Sequence, residues 1–306
     1  MSEIADKIKK LKEKHNVLIL AHYYQPGDVQ DIADMVGDSY GLAKKSAATE
    51  ADYIMFCGVK FMAESAKILS PDKTVILPAM DAGCPMANMI DATRVKHLRE
   101  QYPDAAFVGY VNTSAEVKAE IDVCCTSSNA VNVVKSLPEK QIVFLPDANL
   151  ASFVAKQVDK EIIAYNGYCI VHKRVSSQSI LDVKRENPGV PFLVHPECTK
   201  DVVELADFVG STAQIIKYAT ESPEQRFIIG TEEGILHQLK KENPHKEFII
   251  ASNQFVCVNM KKNSTEQVLA ALEAIDAGTP INTITLSDDI ISRAKRSLDR
   301  MLEIGG

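Results

Sequence analysis

The chain has 306 residues, 46% of them hydrophobic, which is ample for more than one buried core, and length alone allows two or three domains. The formal charge is −7 with Lys and Arg scattered, so a nucleic-acid partner is not expected. No apolar run nears the roughly 18–20 residues of a membrane span, and the start MSEIADKIKKLKEKH is charged where a secretory signal would be apolar, so a cytoplasmic protein without membrane association is expected.

That N-terminal segment has helical period, with Ile4, Ile8 and Leu11 on one face. Three segments that align with one another follow. The first runs from VLILAHYY (17–24) to VILPAMDAGC (75–84), the second from AFVGYVNT (106–113) to IIAYNGYC (162–169), and the third from PFLVHPEC (191–198) to FIIASNQFVC (248–257). Each reads as a strand ending in polar residues, a helix, a second strand (YIMFC, IVFLP or RFIIG), a further helix and a third strand that ends in Cys. The strands are short continuous apolar runs, the pattern of a parallel sheet buried on both faces. The expected fold is α/β: three pseudo-symmetric parallel-sheet αβα units around a central cavity, over 1–85, 86–170 and 171–257. Segment 258–306 is expected to pack back on the first unit, with helices near 265–277 and 287–304. Asp288 and Asp289 in the last helix's first turn and Arg300 near its end suit the helix dipole.

Equivalent positions recur at fixed spacing. His22, Tyr110 and His195 end the first strands, 88 and 85 residues apart. Tyr24, Asn112 and Glu197 sit two residues further on, which places each pair on one side of its strand end. Ser39, Ser127 and Thr212 open the next helices, again 88 and 85 apart, and Ser211 precedes Thr212. Hydroxyls there cap helices or bind phosphate and carboxylate, and spacing alone does not choose between the two.

Cys84, Cys169 and Cys257 close the repeats, 85 and 88 apart. Seven cysteines with no C-x-x-C pair make neither a disulfide framework nor a zinc finger. One Cys alone reads as a core residue, but three in one column of a self-comparison read as a trigonal thiolate site, suited to an Fe–S cluster, Zn or Cu(I). Cys57, Cys124, Cys125 and Cys198 have no triplicated counterparts and read as core thiols. His22, His195, Tyr24 and Glu197 are candidate acid–base groups. His172 lies three residues beyond Cys169, outside the pattern.

With these residues in hand, the sequence resembles the quinolinate synthases. The motifs are AHYYQPGDVQDIADMVGDSYGLA (21–43), GCPMA (83–87), YVNTSAEVKAEIDVCCTSSNA (110–130), PDANLA (146–151), GYCIVH (167–172), VHPEC (194–198), VGSTAQI (209–215), GTEEG (230–234) and CVNMKKN (257–263), nearly the whole chain. The resemblance implies an enzyme of NAD biosynthesis that condenses iminoaspartate with dihydroxyacetone phosphate, the former supplied by a separate iminoaspartate-producing enzyme. Quinolinate forms with loss of phosphate and two waters. It implies a 4Fe–4S cluster on Cys84, Cys169 and Cys257 whose open iron acts as a Lewis acid. It also puts Tyr24, Glu197, His195, His22 and His172 in the active cavity, with Ser39, Tyr110, Asn112, Ser127, Ser211 and Thr212 on substrate. Tyr24 and Glu197 are expected to transfer protons. Some members of that family carry C-x-x-C-x-x-C at the third cysteine; CVNMKKN holds Cys257 alone, so a thiol switch there is not expected. The competing readings are a trilobal iron–sulfur reductase of an allylic diphosphate, a diphthamide-forming subunit, and a phosphate-binding module with structural thiols.

Overall fold

A computed structural model describes residues 3–305; Met1, Ser2 and Gly306, at the outer ends of the first unit and the C-terminal segment, lie outside the described residues. The first unit contains α1 (Glu3–Lys14), β1 (Val17–His22), α2 (Gly27–Ile32), β2 (Met35–Gly37), α3 (Ser39–Ala47), β3 (Tyr53–Cys57), α4 (Lys60–Leu69) and β4 (Thr74–Ile76). The second contains α5 (Ala92–Gln101), β5 (Ala106–Tyr110), α6 (Ala115–Lys118), β6 (Val123–Cys125), α7 (Ala130–Ser136), β7 (Gln141–Leu145), α8 (Ala148–Ala155) and β8 (Glu161–Ala164). The third contains α9 (Ile170–Lys173), α10 (Ser177–Glu186), β9 (Phe192–Val194), α11 (Lys200–Val203), β10 (Phe208–Val209), α12 (Thr212–Glu221), β11 (Arg226–Gly230), α13 (Ile235–Glu242) and β12 (Glu247–Ile250). Helices α14 (Thr265–Asp276) and α15 (Asp288–Ile304) end the chain.

The sheets are three, four-stranded and wholly parallel, in the orders β2-β1-β3-β4, β6-β5-β7-β8 and β10-β9-β11-β12. The expected α/β architecture is therefore the one observed, with one correction: each sheet has a fourth strand. Those extra strands, β2, β6 and β10, are two or three residues long, too short for any periodicity to mark them. The repetition extends to register. Leu20 pairs with Phe56, Val108 with Phe144 and Leu193 with Ile229, so partners sit at the same relative positions in all three sheets. An aspartate just before each short strand bonds the central strand: Asp34 accepts from Ile19 N (2.8 Å), Asp122 from Phe107 N (2.7 Å) and Asp207 from Phe192 N (2.8 Å).

Helices pack against the sheets, which is why the strand interiors are apolar, with Gln141, Glu161, Arg226 and Glu247 confined to strand starts. Ile8, on the apolar face of α1, is buried among Val268, Ala271, Leu272 and Ile275 of α14, a contribution of roughly 1.5–3 kcal/mol for such a side chain. Helix α15 lies against α6, β6 and α7 of the second unit and α4 of the first. Its core face is Ala294, Leu298 and Met301, and Ser287 caps its start by accepting from Ile290 N (3.4 Å). Cys57, Cys124, Cys125 and Cys198 are buried in the apolar cores. No helix among the described residues is long and apolar enough to cross a membrane.

Candidate active site

The carboxyl ends of β1, β5 and β9 turn toward one cavity. Its lining includes His22 and Tyr24, Tyr110 and Asn112, and His195 and Glu197. His22 and Tyr110 end their strands, whereas His195 lies one residue beyond β9 and the second member of each pair lies in the turn that follows, so it is these turns that bring the pairs together. The first and third pairs also share a turn: Tyr24 N donates to His22 Nδ1 (3.1 Å) and Glu197 N donates to His195 Nδ1 (3.3 Å). Burial drives both histidines down to about 3, so both rings are neutral near neutral pH. With Nδ1 accepting, the proton sits on Nε2, and in His195 that nitrogen lies 3.2 Å from Ser127 Oγ.

Tyr24 and Tyr110 are pushed well above the ordinary phenol value by burial, with the charge of Glu197 adding to it, so both are hydroxyl donors. The Tyr24 hydroxyl bonds Thr212 Oγ1 (2.9 Å) and Thr231 Oγ1 (2.6 Å). Thr231 in turn lies 3.0 Å from His172 Nε2, and His172 Nδ1 lies 2.8 Å from Glu197 Oε2. A continuous chain of polar atoms therefore joins Tyr24 to Glu197. Burial alone would raise the Glu197 carboxyl, yet attraction to His195 and His172 and hydrogen bonds from His172 and Tyr110 hold it below the usual carboxylate range. Because His195 is neutral, the hydrogen bonds are what sustain that charge near pH 7.

Ser39 opens α3 and Thr212 opens α12, and both line the cavity. Ser127 also lines it but lies three residues ahead of α7, so it is held by a turn in which Thr126 N donates to Asn129 Oδ1 (2.7 Å). Ser211 is fully buried and serves as the cap of α12, accepting from Gln214 N (3.3 Å) while the Gln214 side chain accepts from Ser211 N (2.8 Å). Ser128 Oγ, 2.6 Å from Asp38 Oδ2 and 2.9 Å from Ser211 Oγ, ties the helix starts of the three units together. Asn112 Oδ1 is buried at the cavity without a protein partner, so it has a hydrogen bond left to accept.

Cys84, Cys169 and Cys257 all line the same cavity as free thiols, one from each unit. They do not end strands, as the sequence implies; each lies in the loop beyond, after β4, β8 and β12. Each of the three sheets thus brings its sulfur to the cavity on a loop, beside the strand-end pairs of the same units. All three cysteines are half-buried residues. Burial pushes Cys84 up to about 12, with Cys257 and Glu197 adding to it, and raises Cys169 and Cys257 as well. Burial thus disfavours free thiolates here, and a cation that displaces the thiol protons would offset that cost, so this donor set fits a thiolate-held metal group. A second set overlaps it: one ligand atom each of Cys169, His172 and Glu197 all lie within 4.8 Å of one another.

Three buried residues go beyond the sequence expectations. Thr231 has no triplicated counterpart, since the same column holds Gly58 and Pro146, so the repeat does not mark it, although it lies within the GTEEG motif. Asp147 and Glu232 do carry a signal: with Val59 they are spaced 88 and 85 apart, the interval of the strand-end residues. Burial and the Glu197 charge push Asp147 up, and burial raises Glu232 despite the Lys261 ammonium 2.9 Å away.

Fold and cavity together define a three-unit α/β protein whose single shared cavity carries a donor set that fits a metal group. The quinolinate synthetase A protein family model matches residues 6–303. The quinolinate synthase of Alkaliphilus metalliredigens is 51% identical, covering 99% of both chains. Those of Methanoregula boonei and Geobacter metallireducens are each 50% identical, covering 98% of this chain and 98% and 97% of theirs. The chain belongs to the quinolinate synthetase A family and has the function of a quinolinate synthase.

Proposed function

We propose that this cavity condenses iminoaspartate with dihydroxyacetone phosphate to give quinolinate, phosphate and two waters, and that Cys84, Cys169 and Cys257 hold a 4Fe–4S cluster within it. The observation that carries the reading is the convergence of three thiols, one per unit, on the cavity that the three strand-end pairs also line. Three thiolates leave one iron of such a cluster without a protein ligand, and the bound group supplies Lewis acidity toward a substrate oxygen. The balance of atoms needs no net electron transfer.

The side chains divide the remaining work. The Nε2–H groups of neutral His22 and His195 donate to substrate carboxylates or carbonyls. Ser39, Ser127 and Thr212 present hydroxyls to the anionic groups, and Ser211 acts through the α12 cap it forms. Asn112 Oδ1 accepts from a substrate N–H or O–H. Glu197, kept ionised, takes protons during enamine formation and the carbonyl isomerisation, while Tyr24, kept as a phenol, gives a proton to a departing hydroxyl. His172, bonded to Glu197 and through Thr231 to Tyr24, holds the two in register. The three units would span 1–85, 86–170 and 171–257, with 258–306 packing back on the first through α14 and reaching the second through α15. The enzyme would work in the cytoplasm beside a source of iminoaspartate.

Anaerobic purification with iron and sulfide counting, and a quinolinate assay without external reductant, test this. Four irons and four sulfides per chain with turnover are expected. A fully loaded protein that makes no quinolinate from these substrates would refute the reaction, and a protein that never takes up iron would refute the cluster.

A further inference from the structure

The position two residues beyond the third strand of each sheet holds Val59, Asp147 and Glu232. In the second and third units its carboxyl group does the same thing twice. One oxygen of Asp147 accepts from Leu150 N at the start of its own helix (2.7 Å), and the other accepts from Cys169 N (3.1 Å). One oxygen of Glu232 accepts from Gly234 N ahead of α13 (2.7 Å), and the other accepts from Cys257 N (2.9 Å). Both side chains are fully buried. Lys261 adds a third tie, donating to Glu232 (3.1 Å) and to Tyr24 O of the first unit (2.8 Å).

In the first unit Val59 offers no acceptor, and the Cys84 arm is held another way. Lys60 N donates to Ala82 O (2.8 Å), while Asn263 accepts from Ala79 N (3.2 Å) and donates to Gly58 O (2.8 Å). Two of the three cysteine arms are therefore pinned at the cysteine's own amide by a side chain rooted in a rigid strand end. A long loop left free would sample many sulfur positions, and the cost of ordering it would fall on metal binding.

We propose that Asp147 and Glu232 are a repeated pair of positioning residues that fix Cys169 and Cys257 in their converging arrangement before metal arrives. The proposal rests on the thiolate-held cluster described above. Each carboxyl group acts on the metal only through a cysteine amide, as groups that orient metal ligands commonly do, and their loss typically costs 10–100-fold in metal affinity. The asymmetry carries its own forecast, because the Cys84 arm should be insensitive to residue 59.

The test compares the full chain with Asp147→Asn, Glu232→Gln and Val154→Ala. Asn can keep the bond to Leu150 N while turning an NH₂ toward Cys169 N, so the helix cap survives and the cysteine contact does not. Val154→Ala loosens the buried side of the same α8 helix while leaving the Asp147 carboxylate and its bond to Cys169 N in place. Each apoprotein is reconstituted anaerobically with ferrous iron and sulfide, and iron uptake and the rate of iron release to a chelator are measured alongside thermal melting. Release about 10–100-fold faster from Asp147→Asn and Glu232→Gln, with Val154→Ala releasing as the unaltered protein does, supports the proposal. Release from all four proteins at one rate overturns it and leaves the cluster reading intact. So does Val154→Ala releasing as fast as the other two, since general loosening would then explain the loss. An unaltered chain that takes up no iron sinks both.

Discussion

Replacing Thr231 by Val removes one oxygen from the centre of the site and changes almost nothing else, since the two side chains have nearly the same shape. Thr231 is fully buried, and its hydroxyl bonds Tyr24 Oη (2.6 Å) and His172 Nε2 (3.0 Å). Tyr24 keeps a second partner in Thr212 (2.9 Å), so its loss is one hydrogen bond, about 0.5–1.5 kcal/mol. The nitrogen of His172 loses the partner that Thr231 gave it, and an unmet buried polar atom costs about 1–3 kcal/mol. The folded state should therefore lose roughly 2–4 kcal/mol. If the His172 share reappears as poorer orientation in the transition state, kcat falls roughly 5- to 150-fold. Calorimetry of the apoprotein and steady-state quinolinate formation measure the two effects, with iron content as a control. Thr231→Ser, which restores the oxygen, should recover most of both. A Thr231→Val protein that melts and turns over as the unaltered one does would show that this hydroxyl holds neither ring, and the linkage from Tyr24 to Glu197 would lose its middle member.

Cys84→Ser, Cys169→Ser and Cys257→Ser should each lose bound iron and activity together, whereas Cys57→Ala and Cys198→Ala, in separate apolar cores, should keep iron and lose only about 1 kcal/mol or so of stability; retained iron in Cys169→Ser would break the assignment. His22 and His195 have folded values of about 3 against an ordinary 6.5, so the unfolded chain binds protons that the native one refuses. Their stabilising share is whole above pH 6.5 and drains as pH falls toward 3, amounting to about 2 kcal/mol per histidine lost by pH 5. Melting curves of apo His22→Asn and His195→Asn between pH 7 and 5 should be flatter than those of the unaltered chain, and parallel curves would contradict the burial argument. Lys118 is fully buried, donates to Thr113 O and sits 5.5 Å above the Phe61 ring. Lys118→Met keeps the apolar stem but leaves that carbonyl without its donor, so a loss of about 1–3 kcal/mol in denaturant titration is expected, and an unchanged midpoint would count against it.

Self-comparison of the sequence reached the three units, the strand-end pairs and the three convergent cysteines, because a repeated fold writes its geometry as a repeated interval. The equal registers Leu20–Phe56, Val108–Phe144 and Leu193–Ile229 are the physical form of that interval. The same comparison already contained Val59, Asp147 and Glu232, whose meaning appears only when a carboxyl oxygen is seen against a cysteine amide. The strands β2, β6 and β10 stayed hidden because two or three residues carry no period. Ser211 and Thr212 are neighbours in sequence, yet one is a buried cap and the other faces the cavity, since adjacent residues at a helix start point in different directions. What only the tertiary structure decided are contacts between units. Tyr24 meets Thr231 across 207 residues and Thr212 across 188, and Lys261 reaches back to Tyr24 across 237. Periodicity describes how one strand or helix meets its own layer. How three layers turn their loops toward one another depends on packing among parts far apart in the chain, and no local pattern records it.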